Sequence, residues 1–343
     1  MAPKLTSEQI EMPDSPEQIY QLFLDRGWTD GLPIIPPTEE LVAKAIEYTG
    51  RDPQTLITNL PPKWGAATIE KIAINAVMAG CLPEYLPVII TAVEVMAEKQ
   101  VNMTFAQVTT HPNSPLTIVN GPIAKELKIN SGTGVFGPCF RSNATIGRAI
   151  RLILINIGGA IPGISQMATQ GQPSRYSFCI AENEAESPWE PLHVERGFEA
   201  EKSTVTVIAA ENPHNINDHG STTAAELLFT IANSINKSSS NNVISQAGNP
   251  VLVLCPEHAQ TIARDGYSKN DVRKYLFENA RVPYNRLTAT TRKRFFPNLK
   301  ENESVPRYGA AQDLIILVAG GGGKHSSYLP SAGNNWAVTK PIV

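Results

Sequence analysis

The chain has 343 residues, a formal net charge of −3 and 18% charged residues. Acidic and basic residues nearly balance, which excludes the strongly basic composition of a typical nucleic-acid-binding protein. The most apolar run, 152–164, is broken by glycines and a proline and is too short to span a bilayer. We therefore expect neither a nucleic acid nor a membrane as a partner.

Charge and cysteine usage also bear on assembly and location. The charged fraction is below the roughly 25% of an average soluble domain, which indicates extensive buried surface or a subunit interface, so we expect a homo-oligomer. The first residues contain no apolar stretch of the kind found in a secretory signal. The four cysteines show no paired spacing and are interpreted as reduced thiols. Together these features predict a cytoplasmic protein.

The first two hundred residues are predicted to be rich in helices. Apolar residues recur with helical spacing, prolines stand at first-turn positions and glycines follow the last turns. The run PLTIVNG predicts a strand over 115–121. The helices are predicted over 15–27, from about 38, over 66–79, from about 83, and over 142–156.

The remaining residues alternate between strands and helices. This alternation indicates the α/β class, with layered mixed sheets flanked by helices and long ordered loops rich in proline and glycine. We divide the chain into a helix-rich α/β region (1–200) and a second α/β region (201–343), with a single domain as the alternative. The strands are predicted over 203–211, over 250–255 and from 313 into a glycine-rich loop, and the helices over 221–236, 256–266 and 268–280.

A glycine-rich stretch precedes the helix predicted from 142. Its three glycines match the G-x-G-x-x-G frame, but no strand precedes them and no acidic residue follows at 150–160, which excludes a dinucleotide site. Glycines also let backbone N–H groups approach an anion at a helix N-terminus. We therefore expect a small anionic substrate, bound by Arg141, Asn143 and Arg148.

Buried arginines need carboxylate or phosphate partners. For Arg141 and Arg148, a bound anion and an internal ion pair are close alternatives. Arg151 lies on the same helix face as Arg148. For Arg151 we favour an internal ion pair with the acidic stretch 182–186.

Two cysteines are candidates for a nucleophile or proton donor. Cys139 lies just before the helix predicted from 142, and Cys81 lies between Gly80 and the helix predicted near 83. A helix N-terminus and neighbouring arginines favour the nucleophilic thiolate form of a cysteine. The alternative is that each is a small buried apolar residue, which is the commoner fate of cysteine.

The segment ENPHNINDHGST (211–222) is predicted to be a loop between a strand and a helix, an edge where α/β proteins often place their sites. His214 or His219 is the predicted general base, with Asp218 orienting the imidazole. One alternative is a divalent-metal site formed by His214, Asp218 and His219. Another is that these polar residues only cap the following helix.

The segment GGGGKHSSY (320–328) resembles an anion cradle. Lys324, His325 and Ser326 are predicted to bind a substrate carboxylate or phosphate, with a flexible turn as the alternative. It is not a P-loop, because a histidine follows the lysine where serine or threonine is required.

Asp30, in the stiff loop 27–37, is predicted to line the same pocket, with simple surface packing as an equal alternative.

Three further histidines are weaker candidates. His111 is interpreted as structural, His193 as a ligand or an ion-paired loop residue, and His258 as a surface residue of a helix.

Four motifs in the first two hundred residues resemble a pattern found in an uncharacterised microbial and fungal protein family. The resemblance attaches no activity, but it implies that the polar loops of this region form one site. The motifs are GWTDGLP (27–33), NAVMAGCLPEYLPV (75–88), NATIGRA (143–149) and AENEAESPWEPLHVERGF (181–198).

These observations predict an enzyme that acts on a small anionic organic substrate without a cofactor. The expected chemistry is that of a lyase or hydrolase at a carbon–heteroatom bond, with the polar loops converging on one pocket. One alternative is a metal-dependent enzyme, and another is a non-catalytic protein that binds an anion or a second subunit.

Overall fold

The computed structural model describes residues 4–236 and 240–343. Thirteen α-helices lie in these residues, separated by short 3-10 turns. The helices are α1 (Pro16–Asp25), α2 (Glu39–Thr49), α3 (Ile69–Ala79), α4 (Leu86–Met96), α5 (Met103–Val108), α6 (Pro122–Glu126), α7 (Arg141–Asn156), α8 (Leu192–Glu195), α9 (Ala224–Ile235), α10 (Asn241–Ser245), α11 (Pro256–Arg264), α12 (Lys269–Asn279) and α13 (Ala289–Phe295).

Twelve strands lie in the same residues. They are β1 (Leu56–Leu60), β2 (Gly65–Thr68), β3 (Ser114–Asn120), β4 (Cys179–Ala181), β5 (Thr204–Ala210), β6 (His214–Asn217), β7 (Val251–Leu254), β8 (Arg281–Pro283), β9 (Ser304–Pro306), β10 (Ile315–Val318), β11 (His325–Leu329) and β12 (Val338–Pro341).

Two four-stranded mixed sheets form the centre of the molecule. The first has the order β12-β5-β3-β4, with only β3 and β4 parallel, and the second has the order β10-β7-β11-β6, with only β10 and β7 parallel. The pairs β1-β2 and β8-β9 form two small antiparallel ribbons.

The two sheets pack face to face. Alternate residues of a strand point to opposite faces, and one set from each sheet joins a shared apolar cluster. This cluster includes Leu116 and Ile118 of β3 together with Val251 and Val253 of β7. The sheets therefore bury these faces against each other, as in a sandwich.

Helices cover the outer face of each sheet. The other set of strand residues, such as Val119 and Val205, packs with α3, α4 and α7 against the first sheet. Leu252 and Ile316 pack with α9, α11 and α12 against the second. The resulting order of layers is helix, sheet, sheet, helix, which confirms the predicted α/β class with sheets flanked by helices.

Local signals account for the limits of most of these elements. Gly80 takes a φ of 90° and ends α3, and Thr223 caps α9 with its side chain. Eight of the twelve strands described were not predicted, among them β6 and β11, which lie in segments expected to be loops. The proposed boundary near 200 falls between β4 and β5, which belong to one sheet. None of the helices described is long and apolar enough to cross a membrane.

Candidate functional site

Two of the unpredicted strands, β6 and β11, bring two histidines together. Strand β6 pairs antiparallel with β11, so the residues that follow β6 lie beside the first residues of β11. The Nε2 atoms of His219 and His325 are 3.3 Å apart, and both side chains are exposed. We call this edge, at the carboxyl ends of β7 and β10, the histidine end.

The contacts of His325 determine how the two rings share a proton. Its Nδ1 lies 3.0 Å from Oδ1 of Asn215, an acceptor, so Nδ1 carries the hydrogen. In the neutral ring Nε2 of His325 then carries the lone pair, and the Nε2–H of His219 donates to it. His219 keeps its own lone pair on Nδ1, which can accept a proton.

Backbone contacts anchor this pair. Lys324 donates from Nζ to the carbonyl of His219 over 3.2 Å, and the amide of Asp218 donates to the carbonyl of Lys324 over 3.3 Å. The ammonium group of Lys324 is thereby held at the backbone of His219, one member of the pair. A cation in this position can bind the negative charge of a ligand that reaches the histidines.

A buried hydrogen-bond chain supports the pair from beneath. His258 donates from Nε2 to the carbonyl of Asp218 over 3.1 Å, and its Nδ1 accepts from the Ser326 hydroxyl over 2.8 Å. Ser326 also accepts from the amide of Cys255. His258 and Ser326 are both 2% exposed, so the expectation of a surface residue at His258 was wrong. Burial lowers the pKa of His258, which keeps the ring neutral.

Asp218 caps its own loop. Its carboxylate accepts from the amides of Gly220 and Ser221 and from the Ser221 hydroxyl. Burial alone would raise its pKa, but hydrogen bonds from Thr230, Ser221 and Gly220 lower it to about 2. The carboxylate is therefore ionised at neutral pH and holds the turn that carries His219.

The glycine-rich loop contacts the stretch before α7. The amide of Gly320 donates to the carbonyl of Ser131 over 2.8 Å. A Cβ atom on Gly321 would lie 1.9 Å from Oγ1 and 2.9 Å from Cα of Thr133. The amide of Gly323 donates to the Glu257 carboxylate in the first turn of α11. Two of the predicted loops therefore do meet at the histidine end.

His214 lies apart from this pair. It opens β6 opposite Tyr328, whereas His325 pairs with Asn217 at the other end of the strand. Strand residues alternate between faces, which puts His214 on the face of the buried Ile216, away from His325. Residues 4–236 and 240–343 contain no group of three or more His, Cys, Asp or Glu side chains arranged to hold a metal ion.

Around α7, two predicted ligands bind each other. Arg148 donates from Nε and Nη2 to the two carboxylate oxygens of Asp30, over 2.9 and 2.8 Å. The Asp30 side chain is only 4% exposed. Burial alone would raise its pKa, but the Arg148 guanidinium holds it below the usual range. This bidentate pair corresponds to the internal alternative for Arg148.

Arg141 and Asn143 also make internal contacts. Arg141 donates from Nε and Nη2 to the carbonyl of Gly80, at the C-terminus of α3, where positive charge is favourable. Asn143 bonds to the backbone amide and carbonyl of Asn130 and to the carbonyl of Cys179. Asn143 therefore ties the glycine-rich stretch to α7 and β4.

The cysteines differ sharply in environment. Cys139 is exposed and has a φ of 84°, a left-handed conformation that is rare for a residue with a side chain. At Cys81, burial raises the pKa to about 12, outweighing the hydrogen bond from Thr145 and the charge of Arg141. The Cys81 thiol is thus protonated at neutral pH and lacks the expected activation. Cys179 and Cys255 are buried.

Arg151 does not form the ion pair expected for it. It is 7% exposed, and its Nη1 donates to Oε1 of Gln107 over 3.4 Å. Glu182, in the acidic stretch, bonds instead to Asn120 and the amide of Leu192. The charge that acts on Arg151 most strongly is that of another cation, Arg175. Sequence reasoning did not single out Arg175, which lies in a stretch with no recognisable motif.

Comparison of the chain with protein-family models, with curated proteins and with solved structures found no match. Function is therefore inferred from the geometry of the site.

Proposed function

We propose that this protein is an enzyme that acts on a small anionic organic substrate at the histidine end, by general acid–base chemistry. The single observation that carries the proposal is the His219–His325 pair with the Lys324 ammonium group anchored beside it. Proton transfer at a carbon–heteroatom bond, as in a lyase or hydrolase, is the chemistry that such a pair can support.

The two imidazoles have complementary roles in this proposal. Nδ1 of His219 accepts a proton from the substrate or from an attacking water. His219 then becomes an imidazolium, and its Nε2–H remains bonded to His325, which spreads the charge. His325 is held by Asn215, and Lys324 binds the negative charge of the substrate. Cys139 is exposed on the loop before α7 and remains a candidate for proton donor or nucleophile.

A search for turnover across many compounds tests this proposal while the substrate is still unidentified. Pools of small carboxylates and organic phosphates are incubated with the wild type and with His219→Ala/His325→Ala, and products are followed by mass spectrometry. We expect at least one compound to be consumed by the wild type and spared by the double variant. Equal consumption by both proteins would refute the role of the pair.

A metal-dependent enzyme is the second candidate, and one distance favours it. Two ring nitrogens bound to zinc at about 2.0–2.1 Å in a tetrahedral site would lie about 3.4 Å apart, close to the observed 3.3 Å. Water or substrate would complete the coordination sphere. Elemental analysis distinguishes metal-free acid–base catalysis from the metal-dependent alternative. Stoichiometric metal that is lost in His219→Ala but kept in His214→Ala would favour the metal-dependent enzyme. Activity in metal-free protein would eliminate it.

A further inference from the structure

The opposite end of the sandwich lies where β3 begins. Ser114, the first residue of β3, pairs with Ala210, which bridges to Ser331 just beyond β11. Strand β11 begins at His325, six residues before Ser331, so this edge lies about 20 Å from the histidine pair at roughly 3.4 Å per residue. The Ser114 hydroxyl bonds to the carbonyl of Ser174 over 3.1 Å, which places the turn Pro173–Arg175 here. We call it the arginine end.

Two guanidinium groups lie near each other in the interior at this end. Arg151 is almost fully buried on α7, and the Nε, Nη1 and Nη2 atoms of Arg175 are all buried. Arg175 is the neighbouring charge that most perturbs Arg151. Burial lowers the pKa of each to about 10, so both remain cations at neutral pH.

Among the described residues, these two cations have almost no anionic neighbours. None of the three Arg175 nitrogens has a hydrogen-bond partner among the described residues. Arg151 makes only the 3.4 Å hydrogen bond to Gln107. Asp30 is the one carboxylate that acts on Arg151, and it is already bound through both oxygens to Arg148. Neither Arg151 nor Arg175 forms an ion pair within the described parts of the chain.

Such an arrangement is unfavourable unless something else neutralises it. A buried charge without a partner carries a large desolvation cost, and two like charges side by side add repulsion. Guanidinium groups match the geometry of carboxylate and phosphate oxygens through paired N–H donors. The missing partner therefore has the chemistry of an oxyanion.

We propose that Arg151 and Arg175 bind a small oxyanion, a carboxylate or a phosphate, at the arginine end. This site is independent of the histidine end, because it lies at the other edge of the sheets. Arg175 reaches the interior from a surface turn whose neighbouring residues Pro173 and Tyr176 are exposed.

Thermal unfolding in different salts tests the site directly. The midpoint is measured in sodium chloride, sodium phosphate and sodium acetate at equal ionic strength, so that general screening is constant. A ligand that binds only the folded state raises the midpoint, by about 4 °C at a hundredfold excess over Kd for a chain of this size. We expect this rise in phosphate or in acetate, and the salt that produces it identifies the class of oxyanion.

Two variants distinguish anion binding at this site from anion binding at other basic surfaces. Arg175→Gln is expected to abolish the oxyanion-specific rise and to be no less stable than the wild type in chloride, because it removes an unpaired buried charge. Arg294→Gln, at the exposed end of the basic run 292–294, is the matched control and should keep the rise. A wild-type midpoint that is the same in all three salts would overturn the proposal, as would a rise that Arg294→Gln loses and Arg175→Gln keeps.

Calorimetric titration guards against a variant that fails to fold. Inorganic phosphate and acetate are titrated into the wild type and into Arg175→Lys, which keeps the charge but loses the paired donors. We expect one binding site per chain and a loss of affinity of about tenfold or more in the lysine variant. The absence of binding heat for both anions in the wild type would also overturn the proposal.

Discussion

The two ends of the sandwich hold positive charge in opposite ways. At the histidine end, the imidazoles and Lys324 are at least partly exposed, and each is bonded to a backbone or neutral group. At the arginine end, the described residues give Arg151 and Arg175 no ion pair, and the carboxylate of Asp30 is already bound to Arg148. Exposed groups can change protonation at little structural cost, whereas buried charges make stability depend on their partners. The histidine end is therefore suited to proton transfer, and the arginine end to holding a fixed negative charge.

The largest expected effect is on turnover at the histidine end. Once a substrate is identified, His219→Ala should reduce kcat by about 100-fold or more, because a positioned acid or base contributes roughly 10² to 10⁴. His214→Ala is the matched control, since His214 opens β6 and His219 lies in the turn that follows the other end of this strand. An equal loss in His214→Ala would remove the distinction drawn between the two positions.

The next effect concerns stability near the arginine end. Arg148→Met leaves the Asp30 carboxylate buried without its guanidinium, and the free energy of unfolding should fall by about 3 kcal/mol. Urea denaturation measures this change. The double variant Asp30→Asn/Arg148→Met should recover part of the loss, because the stranded charge is gone. Turnover per folded molecule should persist in the single variant, and its loss would instead favour substrate binding by Arg148.

A smaller effect is expected in the glycine-rich loop. Gly321→Ala places a Cβ atom against the Thr133 side chain and backbone, and the resulting overlap should cost about 2 kcal/mol. Gly322→Ala is the control in the same loop, because its Cβ meets only a Glu257 oxygen at 3.9 Å. Equal unfolding midpoints for the two variants would show that the contact between the loops is not maintained in solution.

The smallest effect is at Cys139, on the stretch that joins the histidine end to α7. Cys139→Gly should stabilise the protein by about 1 kcal/mol, because glycine adopts a φ of 84° without the strain that a Cβ atom causes. Cys139→Ala keeps the Cβ atom and should show no gain in the same denaturation experiment. Turnover adds a second readout, since its loss in both variants would assign the thiol a catalytic role.

Much of the fold was predictable because its signals are local. The helices α7, α9 and α12 and the strands β5, β7 and β10 lie within or close to their predicted ranges. Apolar periodicity, capping residues and terminal glycines act over a few residues, so a single sequence carries them. The alternation of these elements was sufficient to predict the α/β class.

The candidate site was predictable only as a set of residue types. His219 and Lys324–Ser326 were singled out, but β6 and β11 carry polar residues that are typical of loops, and their partners lie about a hundred positions apart. Strand pairing at this separation leaves no local pattern. The sequence also offered no way to see that Asp30 would reach Arg148.

The sequence by itself determined the helices, the central strands and the presence of polar, glycine-rich segments, because these depend on neighbouring residues. Only the tertiary structure decided which two histidines meet and which arginines lack an ion pair within the described residues. His325 rather than His214 meets His219 because β11 runs antiparallel to β6. Arg151 lies near Arg175, while Glu182 of the acidic stretch bonds to Asn120. A buried charge interacts with the groups that the topology places next to it. These groups are distant in the sequence, so the residues adjacent in the chain do not reveal them.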